Sequence, residues 1–362
     1  MDILGQRLKN IFGGVEADAL LLYNSDKAES NFLYLTGFYG GVFEDTALVA
    51  TPFEVHVFTS KLEYETAVEQ SIRNKRIHVH QISDVGSFEV QLRRMLEGKI
   101  VGIDYVRMPY AYYKKFKNIG KVRKFVDVGK KFSEARAIKS GEEIELMKKA
   151  ISITKKAFGE VSQYFEEGMS EVELAGRFEY LLREKGSEGL AFDTIVSFGK
   201  NAALPHHSPD NTKLKENEIV LIDAGGKYKN YCADMTRTFI FKADKSSKRH
   251  AMMKEMLDVV EKAHDDALDL MREGEQASSA HNLAASIIDG FGNGKYKGRF
   301  IHSLGHSIGL DVHDGLAISS NSKTVLKENM VFSDEPGIYV PGFAGVRIED
   351  DVLIGKRRGI LL

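Results

Sequence analysis

The chain has 362 residues and a formal charge of −2, with a pI near 6.6; that is room for two domains, with no basic footprint for nucleic acid and no polybasic membrane signal. One cysteine, Cys232, excludes an internal disulfide framework and a Cys-rich zinc site, and reads as a buried small hydrophobe. No apolar run is long enough to span a bilayer and Met1 to Gly5 carries no signal-peptide pattern, so cytoplasmic residence is the expectation.

In the first third, apolar runs at Ala19 to Tyr23, Ala47 to Ala50, Val55 to Phe58 and Ile100 to Ile103 predict strands. Leu62 to Arg73, Phe88 to Glu97 and Tyr110 to Lys117 predict helices, completing an α/β unit. Tyr34 to Gly41 reads as a packed loop, and His78 and His80 as surface groups on one strand face with no acid close in sequence. A boundary falls near Phe125 to Ala137, giving domains 1–130 and 131–362. Ser140 and Glu143 match a capping box, followed by apolar residues at helical spacing, Ile144, Met147, Ile151 and Phe158. A second box, Ser170 and Glu173, opens a helix that should stop at Gly186. Helices are also predicted over Ser246 to Arg272 and Ala277 to Ile288, with His264, Asp265 and Asp266 on the solvated face of the first. The β-rich runs between them hold every chemically suggestive residue, so the expected class is α+β, with helices packed over a curved antiparallel sheet.

The first such run is Ile219 to Gly226, joined by a short polar segment to Tyr231 through Phe239, which reads as a hairpin. A turn centred on Tyr228 and Lys229 would set Asp223 opposite Asp234, two carboxylates whose repulsion makes sense only with a proton or a cation between them. Taken alone, an aspartate turned to solvent by another register is an equal reading. His302, His306 and His313 follow in a glycine-punctuated stretch; Glu335 and Glu349 then occupy two β-like runs that Pro341 to Gly345 could fold together. Four carboxylates and one imidazole favour hard or borderline divalent ions, Mn²⁺ or Co²⁺ before Zn²⁺. Two such ions about 3.5–4 Å apart would balance the charge and could bridge a hydroxide, which is hydrolytic chemistry.

These residues resemble the pita-bread metallopeptidases, in the Xaa-Pro dipeptidase (prolidase) and aminopeptidase P branch. Asn31 to Phe38 is similar to that branch's creatinase-like N-terminal domain, Ala137 to Ile144 to the entry of its catalytic domain, and Asp223, Asp234, His306, Glu335 and Glu349 to its five-ligand signature. The resemblance implies that Asp223 chelates one metal and His306 the other, that Asp234 and Glu349 bridge both, and that Glu335 is both ligand and general base. It further implies that His206 and His313 donate to the substrate and to its developing oxyanion, with Arg347 and Tyr339 in supporting or substrate-contact positions. A homodimer follows, in which the N-terminal domain of one subunit borders the other's site, as does a proline-containing di- or short peptide as substrate. Ser307, Asp314 and Asp334 depart from the family's usual glycine, glutamate and uncharged residue, leaving the ligands intact.

Two alternatives stay open: aminopeptidase P activity on longer Xaa-Pro peptides, and a non-catalytic binding module on the same fold. Gly305 to Gly309 matches the G-x-S-x-G elbow of serine hydrolases, but no helical pattern follows Ser307 and no later histidine lies far enough away to complete a triad.

Overall fold

The computed structural model describes residues 2–362 and divides into one unit that ends at Arg136 and another from Ala137 to Leu362. Six strands build the sheet of the first unit: β1 (Ala19–Asn24), β2 (Thr46–Ala50), β3 (Val55–Thr59), β4 (Ile77–Gln81), β5 (Ile100–Ile103) and β6 (Lys124–Asp127). Their order is β4-β3-β2-β1-β5-β6. A short turn makes β2 and β3 antiparallel and a longer connection through the helix Ser30–Thr36 makes β1 and β2 antiparallel, whereas helical crossovers at Lys61–Ser71 and Tyr110–Gly120 leave β3 with β4 and β5 with β6 parallel. Leu21, Val49, Phe58, Leu92, Val101 and Phe116 fill the core beside this sheet.

Several elements of this unit escape the sequence pattern. The helix Ile3–Phe12 is capped by Asp2, whose carboxylate accepts from the Gly5 amide. Tyr34 to Thr36 belong to the short helix Ser30–Thr36, and the loop begins only at Gly37, whose φ of 68° ends it. β4 and β6 lie at the two edges of the sheet; the alternation of His78 and His80 on one strand face marks β4, while the 4 residues of β6 are too few to show a period. His78 and His80 do have an acid at hand: His78 Nε2 is 3.2 Å from Glu54, and His56 stands between Glu54 and His80.

In the second unit, α1 (Gly141–Val161) and α2 (Glu171–Glu184) start at the two capping boxes, each with both reciprocal hydrogen bonds formed. α3 (Lys248–Leu268) and α4 (Ala277–Gly290) bury Met253, Met256, Val260, Ala280, Ala284 and Ile288 against strand residues Ile219, Leu221, Phe332, Val346 and Val352. Each buried aliphatic or aromatic side chain of that interface contributes roughly 1.5–3 kcal/mol. α3 stops at Leu268, before the expected Arg272, and His264 is buried rather than solvated, with Nε2 3.5 Å from Asp350.

The strands of this unit are antiparallel and fall into short ladders. β7 (Ile195–Phe198) and β9 (Met235–Phe241) flank β8 (Glu218–Ala224). β10 (Gly305–His306) pairs with Ala317–Ile318, β11 (Val331–Asp334) with β14 (Asp350–Ile354), and β12 (Gly337–Val340) with β13 (Ala344–Arg347).

The hairpin that joins β8 to β9 turns one residue later than expected. Lys229 and Asn230 take its two central positions, with φ of 46° and 68°; asparagine tolerates the left-handed region that a bulky tyrosine resists. Asp223 therefore faces Thr236, not Asp234. A register shift of two preserves the strand face, so Asp234 stays on the side of Asp223 as a diagonal neighbour. The ladder breaks at Gly225, where a Cβ would come 1.7 Å from the Ala233 carbonyl oxygen.

Candidate metal centre

The two glutamates stand where another ladder breaks. Asp334 pairs with Asp350 and Gly337 with Arg347, so the unbroken register sets Glu335 across from Glu349 between the two short sheets. Pro341 to Phe343 make the turn, Ala344 and Gly345 already belong to β13, and Gly345 packs so tightly that a Cβ there would come 1.7 Å from the Ala202 carbonyl oxygen.

Backbone amides then tie these segments together in pairs. The Glu335 amide donates to Leu304 O (2.7 Å) and the His306 amide to Ser333 Oγ (3.0 Å), binding the histidine strand to the glutamate strand in both directions. In the same way the Glu349 amide donates to Thr236 O (3.1 Å) and the Asp234 amide to Asp351 Oδ2 (3.0 Å).

The side chains converge. Asp234, His306 and Glu349 each offer a ligand atom within 4.8 Å of the others. His306 Nε2 is 3.5 Å from Asp234 Oδ2 and 3.5 Å from Glu335 Oε1. Burial raises Asp234 and Glu349 well above the usual carboxylate range; Glu349, Asp223, Asp351 and Glu335 add to the effect at Asp234, and Glu335 and Asp223 at Glu349. Glu335 is pushed up to about 8 by burial, with Arg347 opposing and Asp223 reinforcing. Asp223 Oδ1 and Asp234 Oδ1 are buried without a hydrogen-bond partner among the described residues, a cost that a cation would remove. His306 is pushed down to about 4 by burial and by His313, so it is neutral at physiological pH, as a ligand must be. Its Nδ1 leans on the Ser307 carbonyl at 3.4 Å, which leaves the Nε2 lone pair facing the carboxylates.

Arg347 is the cation already present. Its Nη2 donates to Asp223 Oδ2 at 2.6 Å, its Nε to Thr236 Oγ1 at 3.0 Å and its Nη1 to Tyr339 Oη at 2.9 Å. Tyr339 lies 2.8 Å from His302 Nε2, and His302 Nδ1 lies 2.8 Å from the Ser303 carbonyl. The carbonyl can only accept, so the donors run in one direction, from Arg347 through Tyr339 to His302 and Ser303. Thr236 closes the other side by donating to Glu349 Oε2 at 2.6 Å. His302 and Thr236 thus join the site although sequence reasoning assigned them no part; the signal for Thr236 was its place two residues beyond Asp234, on the same strand face.

His313 and His206 differ from the buried groups. Both are exposed, where a substrate could meet them. The His313 ring stands edge-on to His306 with centroids 4.2 Å apart, while His206 is close enough to His302 to help depress its pKa, mainly lowered by burial, to about 4.

The departures at Ser307, Asp314 and Asp334 have structural places. The buried Ser307 hydroxyl accepts from the Leu316 amide at 2.9 Å, and no helix follows it, so no nucleophile elbow is built. Asp314 lies 3.5 Å from the buried Lys139 ammonium. Asp334 faces Asp350, which Arg237 and His264 approach, and both oxygens of Asp334 are buried without a hydrogen-bond partner among the described residues.

Comparison with known proteins agrees with this architecture. Residues 145–356 match the model of metallopeptidase family M24, and residues 6–138 that of the creatinase/prolidase N-terminal domain. The chain is 34% identical over 363 residues to an Xaa-Pro dipeptidase of Pyrococcus horikoshii, an alignment spanning 98% of this chain and 96% of that one. It is also similar to the crystal structure of an X-Pro aminopeptidase from Thermotoga maritima MSB8, with a TM-score of 0.87 and 30% identity over 99% of this chain and 96% of that one. The prolidase from Pyrococcus horikoshii OT3 superposes with a TM-score of 0.87 and 31% identity over 99% and 97%.

Proposed function

The chain belongs to metallopeptidase family M24, and on that premise we propose that it is an exopeptidase that hydrolyses the Xaa-Pro bond, foremost in dipeptides, with two divalent cations held by Asp223, Asp234, His306, Glu335 and Glu349. The observation that carries this reading is the convergence of four carboxylates and a neutral imidazole, with two buried carboxylate oxygens that have no partner among the described residues. An oxygen-rich set with one imidazole suits Mn²⁺ or Co²⁺, then Zn²⁺. Divalent cations bound there would offset the negative charge and bring the pKa of a captured water toward neutrality, supplying the nucleophile.

The remaining chemistry belongs to the chain. Glu335 takes the proton of the attacking water and returns it to the departing proline nitrogen, a task suited to a carboxyl whose proton affinity burial has raised. His206 and His313, both exposed, donate to the substrate carbonyl as its oxygen gains charge. Arg347 steadies Asp223, and Tyr339 holds His302 in one tautomer.

The likeness to an X-Pro aminopeptidase supports a second reading, in which longer Xaa-Pro peptides are also cleaved. Loading the EDTA-treated protein with Mn²⁺ or Co²⁺ and comparing an Xaa-Pro dipeptide with an Xaa-Pro tripeptide decides between them. Hydrolysis should vanish with EDTA and return with metal; cleavage of neither peptide by the loaded protein would sink the substrate reading, while metal content measured by mass spectrometry tests the site separately. A homodimer and a cytoplasmic location complete the proposal, the first read by analytical ultracentrifugation.

A further inference from the structure

Glu171, the first residue of α2, is wholly buried and has no part in the chemistry above. Its carboxylate accepts four hydrogen bonds. Oε1 takes the Phe198 amide at 2.7 Å and Asn201 Nδ2 at 3.0 Å; Oε2 takes His207 Nε2 at 2.7 Å and the Asp210 amide at 3.0 Å. All four donors come from residues 198–210, the segment that carries His206. Glu171, His207 and Asp210 lie close enough together to suggest a cation site. Two of the four positions around the carboxylate, however, are filled by backbone N–H groups, which are donors and cannot ligate a cation. Asp210 is, moreover, exposed. The group is better described as an anchor.

What it anchors is a segment with little regular structure of its own: a single 3-10 turn over Gly199–Ala203, then an exposed Leu204 and the exposed His206. The backbone at Ala202 is also pressed against Gly345 of β13. A buried carboxylate that accepts several donors, one from an imidazole, is the strongest tie available to such a loop, and it costs heavily if a donor is removed.

We propose that Glu171, acting through His207 and Asn201, is a positioning residue that holds His206 in place to donate to the substrate carbonyl. This rests on the reading of His206 given above. The imidazole ring of His207 ties one side of His206 to the interior, and Asn201 ties the other, so the exposed ring between them swings from a fixed base. An oxyanion donor acts in the transition state, so a loosened base should lower kcat more than it raises KM.

The test uses the metal-loaded enzyme and an Xaa-Pro dipeptide. H207A should lower kcat roughly 10–100-fold with metal content unchanged, and H207Q, which keeps a donor at similar reach, should recover most of the loss. The double variant H206A/H207A should be no slower than H206A alone, because His207 acts through His206. H207A at wild-type rate, or losses that multiply in the double variant, overturns the proposal. Hydrogen exchange provides a readout free of substrate: the amides of residues 199–207 should exchange at least about tenfold faster in H207A. Should the loaded wild type cleave no Xaa-Pro peptide, the function proposed above fails, and unchanged exchange in H207A would then overturn the anchor as well.

Discussion

Stripping the metal and raising the pH should weaken this protein, and the size of the effect follows from the buried carboxyls. Glu335 is pushed from 4.5 up to about 8 by burial, with Asp223 reinforcing and Arg347 opposing. An acid whose pKa is raised by folding holds a proton that the unfolded chain has already released, so its contribution is fully present below 4.5 and is lost as the pH climbs through 8. The imidazoles of His302 and His306 are lowered from 6.5 to about 4, so most of their support for folding is in place at 6.5 and each gains only about 0.4 kcal/mol more as the pH rises further. Between pH 6.5 and 8 the carboxyls therefore dominate. At about 1.4 kcal/mol per pH unit for one proton, Glu335 alone costs the cation-free protein about 2 kcal/mol over that interval. Asp234 and Glu349, both raised, push the same way. For a unit of this size that is a fall in Tm of roughly 4–8 °C. Calorimetry of the EDTA-treated protein at the two pH values measures it, with Mn²⁺-loaded protein as the reference in which the fall should disappear. Glu335→Gln carries no titrating group at that position and should flatten Glu335's share. A cation-free Tm that stays level or rises from pH 6.5 to 8 would refute the electrostatic account of the site.

Among the remaining expectations, Glu335→Gln should bind metal but lose at least about 100-fold in kcat, because no carboxylate is left to take the proton. Asp234→Asn should bind less metal by mass spectrometry; full activity in both variants would contradict the assigned roles. Tyr339→Phe removes the hydroxyl between Arg347 and His302, and should cost about 1 kcal/mol of stability and roughly 10–100-fold in kcat with metal content unchanged. If metal is lost instead, the tyrosine supports the ligands directly.

The acidic residues stood out in the sequence because each interrupts or borders an apolar β run, where a carboxylate needs a reason. Their pairing was only partly legible. Alternation fixes which face a strand residue takes, so Asp223 and Asp234 were assigned to one face correctly. Register depends on which two residues turn, and the preference of Asn230 for a left-handed backbone moved Asp223 opposite Thr236. The chain of donors from Arg347 through Tyr339 to His302 was not legible, since Arg347 and Tyr339, which are not paired in the register of their hairpin, meet through side chains and reach a histidine from a separate segment. Helical position misled at His264: polar neighbours suggested a solvated face, while Asp350, distant in sequence, keeps the ring inside. Glu171 carried no signal of its own in the sequence, and only the folded segment 198–210 shows what its carboxylate holds.

The reciprocal amide ties between the His306 and Glu335 segments, and between those of Asp234 and Glu349, bear on how this protein can change. All four donors at the ligand positions are main-chain amides, and their acceptors are two main-chain carbonyls, the Ser333 hydroxyl and the Asp351 carboxylate, none of which is a ligand side chain. The skeleton of the centre is therefore written in a part of the polypeptide that substitution of a ligand leaves alone. A lineage could exchange its metal preference, or abandon catalysis, one side chain at a time without surrendering the frame.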